Sequence, residues 1–417
     1  MHSTVPGPVR IAVTTIIRHA PLDLPGGYLR VLDLEGGTQL AEAPVPDAVH
    51  RALHPNPRGG PRGGRGLAVA GDRLAMAIND RVVVLDPQWD LDRVLSHAWM
   101  GGVHDIAADD RGLWVTCADN DMVLRLTWEG ELIDHWHWRA DAAVRRALGH
   151  DWLPAFERDV DHRDPFAGGL RIEVGHVNAV TVDGDRVLVG LGLVRPRPPL
   201  GRALARAAAY RAIRRAGLGR PARAAVVRWA HSRARATLLE RLPRRAHRSV
   251  TPGGLDFAAG AQERPGWTWA VAELGPAGAR VVARHPILGL PAHDVAVDGS
   301  RLVVNDSAAG RVLALDRATG AVVRSVALPG DLPFPRGLAR LPDGRFAVGT
   351  QDPAAIRIVD LDDERLIRTI SLPGDRGESP YAIAVVPGTF EDPSGRLPET
   401  RAGWGIAAAD ASRVRTR

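Results

Sequence analysis

Between His293 and Ala327 apolar and polar residues alternate in four short runs: His293 to Val297, Arg301 to Asn305, Arg311 to Leu315 and Ala321 to Ala327. The runs are broken at Asp298-Gly299, Ala308-Ala309-Gly310 and Ala318-Thr319-Gly320, and each break supplies the glycine that a tight turn favours. Such a pattern predicts a meander of four antiparallel strands. It then repeats as Arg336 to Arg340, Arg345 to Gly349, Ala355 to Asp360 and Leu366 to Leu372, with Pro342-Asp343-Gly344 in the first break. A four-stranded unit recurring at this period predicts β-propeller blades, because neighbouring blades bury the faces that one blade cannot.

The apolar opening of these units recurs at residues 65, 104, 178, 293, 336 and 381, with intervals of 39, 74, 115, 43 and 45 residues. The two long intervals shorten to the common period if a stretch near 141–170 and another from 195 to about 265 are inserts. The opening at Tyr381 has too few residues after it to finish a blade, whereas Arg10 to Thr15 and Tyr28 to Asp33 read as strands without an opening of their own. The two ends therefore complete one blade, which closes the ring and removes exposed sheet edges. The expected fold is an all-β, six-bladed β-propeller with its first part in 1–194, an insert in 195–265 and its second part in 266–417.

Composition agrees with a large packed domain: 417 residues, 45% apolar, with Cys117 as the single cysteine and hence no internal disulfide. No run is long enough to span a membrane, and the interrupted stretch Ile11 to Ile17 does not resemble the core of a signal peptide. The expectation is a cytoplasmic protein, with a peripheral membrane location if the insert binds lipid. Charge is uneven. All 54 basic residues are arginine, and 16 of them fall between Arg195 and Arg248, where Glu240 is the one acid. That segment carries +15, which leaves −9 for the rest of a chain whose net charge is +6. It reads as two helices, near 200–216 and 222–242, but Arg211 and Arg214 interrupt the stripe of Leu200, Leu204 and Ala207. Either it is a solvated cap paired to the acidic body, or it is a surface for an anionic membrane or an acidic protein partner. Nucleic acid is disfavoured, since only Tyr210 and Trp229 are interleaved with the arginines.

In a propeller the innermost strands line one channel, so the openings project a ring of side chains: Arg65, His104, Asn178, His293, Arg336 and Tyr381. His176 lies two residues before Asn178, and strand alternation predicts that both face one side. Three neutral imidazoles, His104, His176 and His293, are a ligand set for one divalent metal ion, zinc foremost, with a position left open. Arg65 and Arg336, with Asn178, would bind a small anionic substrate; Tyr381, with the two arginines, would serve catalysis by moving a proton and steadying charge. These residues point to a metal-assisted lyase or hydrolase. A structural reading stands beside it, in which the pairs His104-Asp105 and His293-Asp294 tie adjacent blades by hydrogen bonds. The alternative function is a non-catalytic propeller that binds a partner or an anionic membrane through its faces and basic insert.

These openings resemble those of NHL-type six-bladed propellers and of virginiamycin-type lyases, whose blades begin with a histidine-containing stretch. The resemblance extends over the blade strands, excludes the inserts, and is shared with bacterial propeller proteins that have no assigned activity. Within the NHL-type group, the peptidyl-hydroxyglycine amidating lyase holds zinc with channel histidines beside an arginine and a tyrosine. That resemblance implies the same roles for His104, His176 and His293, for Arg65 or Arg336, and for Tyr381. The six-bladed arylsulfotransferases imply a further alternative, group transfer through a covalent channel histidine.

Other clusters read as structural. Asp159, Asp161, His162 and Asp164 lack the glycine and terminal glutamate of a calcium loop and predict an exposed loop. His135 and His137 alternate with Trp136 and Trp138 on an outer strand, and Cys117 reads as a small core residue. Arg58 to Arg65 is a glycine-rich lip or connector. With no Walker loop, dinucleotide fingerprint or nucleophile elbow, no nucleotide cofactor is expected.

Overall fold

The computed structural model describes residues 9–17, 20, 24–48, 63–150, 153, 158–163, 174–196, 265–287, 291–331, 333–372 and 377–406. Most of the arginine-rich segment and both of its expected helices lie outside these residues, as do most of the glycine-rich lip and Asp164. Twenty-four strands pair into six four-stranded antiparallel sheets, the blades of one ring. Blade 1 is built from both ends of the chain, with β24 (Glu378–Val385) innermost and then β1 (Arg10–Ile17), β2 (Tyr28–Asp33) and β3 (Thr38–Pro44). The innermost strands of blades 2 to 6 are β4 (Leu67–Ala70), β8 (Val103–Asp109), β12 (Val177–Asp183), β16 (His293–Asp298) and β20 (Arg336–Arg340). Successive inner strands pack side by side from β4 around to β24, which in turn packs on β4.

Middle strands are covered on both faces by the neighbouring blades. Accordingly β6 (Val82–Leu85) and β9 (Gly112–Cys117) are buried at every residue, whereas the outer strand β23 (Arg365–Ser371) is buried only at Ile370. The core is therefore a set of six apolar layers, one between each pair of adjacent blades, instead of a single centre. Closure is pinned by a buried ion pair across β1. Arg30 on β2 donates through Nε to Glu378 Oε2 on β24 at 2.9 Å, and its Nη2 lies 2.8 Å from the same oxygen.

Six blades closed by the two chain ends are what the repeats predict. The long insert leaves blade 4 between β13 (Arg186–Val194) and β14 (Thr268–Gly275). The shorter one, between blades 3 and 4, opens with a helical turn, α1 (Ala142–Ala147), whose start is capped by the Asp141 carboxylate. Its later part corrects the expectation of an exposed loop, because His162 and Arg163 are buried and Asp161 is held by the Arg163 guanidinium at 2.7 Å. His137 is buried on the outer strand β11 (Leu132–His137), where burial and then the Arg139 guanidinium push its pKa down to about 3. Cys117 is fully buried at the end of β9, and burial raises its thiol pKa. Among the described residues no helix is long and apolar enough to cross a membrane.

Candidate functional site

Each blade sends one side chain to the same end of the channel: Tyr381, Arg65, His104, His176, His293 and Arg336, in ring order from blade 1. The backbone that presents them is irregular. In five blades the inner strand is bulged at its opening, at Tyr381, at His104 and Asp105, at Asn178, at Asp294 and at Gly337. A bulge turns a side chain out of strict alternation, so neighbours such as His104 and Asp105 serve different layers.

The six side chains touch in a closed circuit. Arg65 Nη1 donates to Tyr381 Oη at 2.5 Å, and Tyr381 Oη lies 2.6 Å from His104 Nδ1. Because the phenol accepts from the arginine, its own proton goes to His104 Nδ1. The rings of His104 and His176 meet edge to face at 4.6 Å between centroids, and those of His176 and His293 at 6.5 Å. Arg336 returns to Tyr381: its guanidinium carbon sits 4.7 Å from the phenol ring centroid, while that of Arg65 sits 4.9 Å from it. His293 Nε2 receives Arg336 Nε and Nη2 at 3.1 and 2.8 Å. His293 Nδ1 lies 2.8 Å from Ser307 Oγ, whose hydroxyl donates to Pro335 O at 2.7 Å. Arginine has no acceptor and the serine proton is already committed, so His293 is neutral with its proton on Nδ1.

Arg65, Tyr381, Arg336 and His293 are buried, whereas His104 and His176 are part exposed and open the circuit to solvent. Burial drives the pKa of His104 well below the imidazole range, and Arg65, His176, Arg336 and His293 push it the same way. Burial lowers Arg336 as well, with Arg65 adding to the effect and Tyr381 and Asp294 opposing it. The mouth thus holds two guanidiniums beside a neutral His104, an environment that favours an anion.

One residue further in, Asp105 and Asp294 perform the tie that the structural reading assigned to the His-Asp pairs. Asp105 Oδ2 accepts from Val180 N of blade 4 at 2.9 Å, and Asp294 Oδ2 accepts from Gly337 N of blade 6 at 3.0 Å and from Asn305 Nδ2 at 2.9 Å. The aspartates lock blades while the histidines face the mouth, so each pair does both jobs. Both carboxylates line a channel cavity of about 560 Å³. Burial raises the pKa of Asp294 to about 6; burial and then the Asp294 charge raise that of Asp105 well above the carboxylate range.

Asn178 stands apart from the circuit. It is the bulged residue of β12, its Nδ2 donates to Ala292 O at 2.7 Å, and it lines a small void with Gly192, His293 and Asp294. That bulge, together with a left-handed backbone at His176 (φ 45°), interrupts the alternation predicted for the two residues. His176 is instead presented by Asp121, whose carboxylate takes Val174 N at 2.8 Å and Gly175 N at 3.1 Å. Asp121, Ser307 and Phe334, whose ring lies 5.0 Å from the Arg336 guanidinium carbon, were not singled out from the sequence. They lie outside the opening motifs, at strand ends and in connections.

The three imidazoles do not fit a metal ion as they stand. Both ring nitrogens of His293 and one of His104 are engaged, and among the described residues no three His, Cys, Asp or Glu side chains are grouped to hold one.

No protein-family model matches the chain, and no curated protein sequence matches it. Similar solved structures include a protein of unknown function from Bacteroides caccae, at 10% identity over 91% of this chain and 99% of that one with a TM-score of 0.49. A chain of a nidogen/laminin complex is 11% identical over 91% of this chain and 98% of its own, with a TM-score of 0.48. Virginiamycin B lyase from Staphylococcus aureus is 8% identical over 75% of this chain and 71% of its own, with a TM-score of 0.40. The six blades rest on the strand pairing of this chain itself and not on these likenesses.

Proposed function

We propose that the channel mouth is the active site of a lyase or hydrolase acting on a small anionic molecule, with Arg336 and Arg65 as anion holders and Tyr381 as proton donor. The observation that carries this reading is Tyr381 Oη held between Arg65 Nη1 and His104 Nδ1 at 2.5 and 2.6 Å. That geometry poises the phenol: Arg65 Nη1 fixes its oxygen, His104 Nδ1 orients its proton, and a proton passed from Tyr381 Oη to a bound molecule is replaced from water at the part-exposed mouth. Two guanidiniums in a water-poor wall hold a carboxylate or phosphoryl oxygen more strongly than they would in solvent.

No step here runs through a metal ion: in the structure Arg336 occupies the His293 Nε2 lone pair that such an ion would need. Calorimetric titration of the protein with inorganic sulfate tests the anion site: saturable binding is expected, weakened at least tenfold by Arg336→Gln, a change worth about 1.4 kcal/mol. Absence of binding would overturn the reading. Elemental analysis of protein purified without chelators tests the other half. A stoichiometric divalent ion, lost in His104→Ala, His176→Ala and His293→Ala alike, would replace this scheme with the metal-assisted one.

A further inference from the structure

We infer that the mouth carries a base that the substrate itself unmasks: Arg336 occupies the His293 lone pair in the free protein, and an anion drawing the guanidinium away exposes His293 Nε2 toward the bound molecule. This rests on the proposed anion site and names how it is regulated.

Three observations lead to it. First, Arg336 is a buried cation whose polar partner is a neutral ring. Its Nε and Nη2 both point at His293 Nε2, its faces lie on Tyr381 and Phe334, and among the described residues no carboxylate forms an ion pair with it. A guanidinium gains more from an anionic oxygen than from a neutral nitrogen, because charge–charge attraction is added to the hydrogen bond, so an arriving anion competes for the same donors. Second, Nη1 donates to no described residue, so an anion can be engaged there before either existing bond breaks. Third, His293 stays in place when Arg336 leaves. Its Nδ1–H is held by Ser307 Oγ, which is itself fixed by Pro335 O, so the tautomer and ring plane needed to present Nε2 are anchored from behind.

The consequence is a division of labour. His293 is a catalytic base available only in the complex, facing Tyr381 across the guanidinium that holds the substrate, and an empty site keeps its lone pair covered. Asp294 has a structural task in the same corner, since its Oδ2 ties Gly337 N and Asn305 Nδ2.

The test is nitrogen-15 NMR of the histidine rings of the full chain, at one fixed pH, with inorganic sulfate as the probe and calorimetry run on the same samples. In the free protein His293 is expected to show a protonated Nδ1 and a hydrogen-bonded Nε2. Sulfate should move the Nε2 resonance toward the unbonded pyridine-type position, with the midpoint found by calorimetry and with Nδ1 unchanged. Arg336→Met, which has no donor, should show the unbonded position without sulfate and no further movement; Arg336→Ala serves the same purpose if the methionine variant does not fold. Sulfate that binds by calorimetry but leaves Nε2 unmoved overturns this inference and leaves the anion site standing. Sulfate that does not bind overturns both.

Discussion

His104-Asp105 on blade 3 and His293-Asp294 on blade 5 are the same dipeptide at the same bulged opening, yet their imidazoles are wired in opposite senses. His104 accepts at Nδ1 from Tyr381, whereas His293 donates from Nδ1 to Ser307 and accepts at Nε2 from Arg336. Register accounts for the difference. Ile106 pairs with Val115 and Val295 pairs with Val304, so Thr116 corresponds to Asn305, and Ala118 to Ser307. Blade 3 has a methyl group where blade 5 has the hydroxyl that fixes the histidine from behind. The His104 Nδ1 lone pair is therefore left for the phenol from blade 1. A repeated motif sets where a side chain stands; the second strand and the next blade decide what it can do.

The largest effect expected from breaking this contrast comes at Tyr381. Tyr381→Phe removes the proton that His104 accepts and leaves the His293 corner intact. Turnover of a substrate found by screening small anions should fall by about 10²–10⁴-fold, the range general acid–base groups supply, with sulfate affinity within a few-fold of the parent. A variant that retains full turnover would remove Tyr381 from the chemistry.

Next come the aspartates. Asp294→Ala strips the acceptor from Gly337 N and leaves Asn305 Nδ2 with the longer contact to Gly337 O at 3.3 Å, while Asp105→Ala strips it from Val180 N and from the local Ile106 N. Each orphaned donor costs about 1–3 kcal/mol, and both Asp294 bonds join separate strands whereas one of the two at Asp105 is to its own neighbour, so denaturant unfolding should place Asp294→Ala below Asp105→Ala in stability. The reverse order would mean that the tie between blades 3 and 4 carries the ring.

A pH series sharpens the same point with a smaller effect. Burial lifts the Asp294 pKa to about 6, above its value in the unfolded chain. The native state then binds more protons than the unfolded state between pH 4 and 6, and this residue's contribution to stability falls as pH rises through that window. His104, whose pKa is lowered by burial, has the opposite slope below its ordinary range, so the parent must be compared with Asp294→Asn. The amide keeps an acceptor for Gly337 N and does not titrate. The difference between the two unfolding curves should drift by on the order of 1–3 kcal/mol between pH 4 and 6.5, in favour of the variant at the higher pH. A flat difference would place the Asp294 carboxyl near its ordinary value.

How much of this was legible beforehand follows from where the information sits. The openings at His293 and Arg336, and the strand without successors at Tyr381, state the blades and their closure, because alternation and glycine turns are local. Six side chains at one end of the channel follow from that ring. Their wiring does not, since Ser307, Asp121 and Phe334 lie in unpatterned connections whose positions only tertiary pairing supplies. The bulges are likewise silent in sequence, and they explain why Asn178, a plausible partner of His176 by strict alternation, bonds Ala292 O instead.

The smallest expected effect isolates the blade 3 side of the contrast. Thr116 Oγ1 accepts from Asp105 N at 2.8 Å and donates to Asp105 O at 3.0 Å, so one hydroxyl closes the bulge that turns His104 out of strict alternation. Asn305, at the corresponding place in blade 5, reaches the Asp294 carboxylate and Gly337 O instead of the Asp294 backbone, and the bulge there has a left-handed Asp294 at φ 53°. Thr116→Val keeps the shape, orphans Asp105 N and should cost about 1–2 kcal/mol. It should also loosen His104 relative to Tyr381 without touching His293. In the nitrogen-15 spectrum the His104 Nδ1 resonance should then broaden or shift while both His293 resonances stay fixed. Equal changes at the two histidines would show that they are coupled through His176, and that the ring acts as one unit and not as two separately built corners.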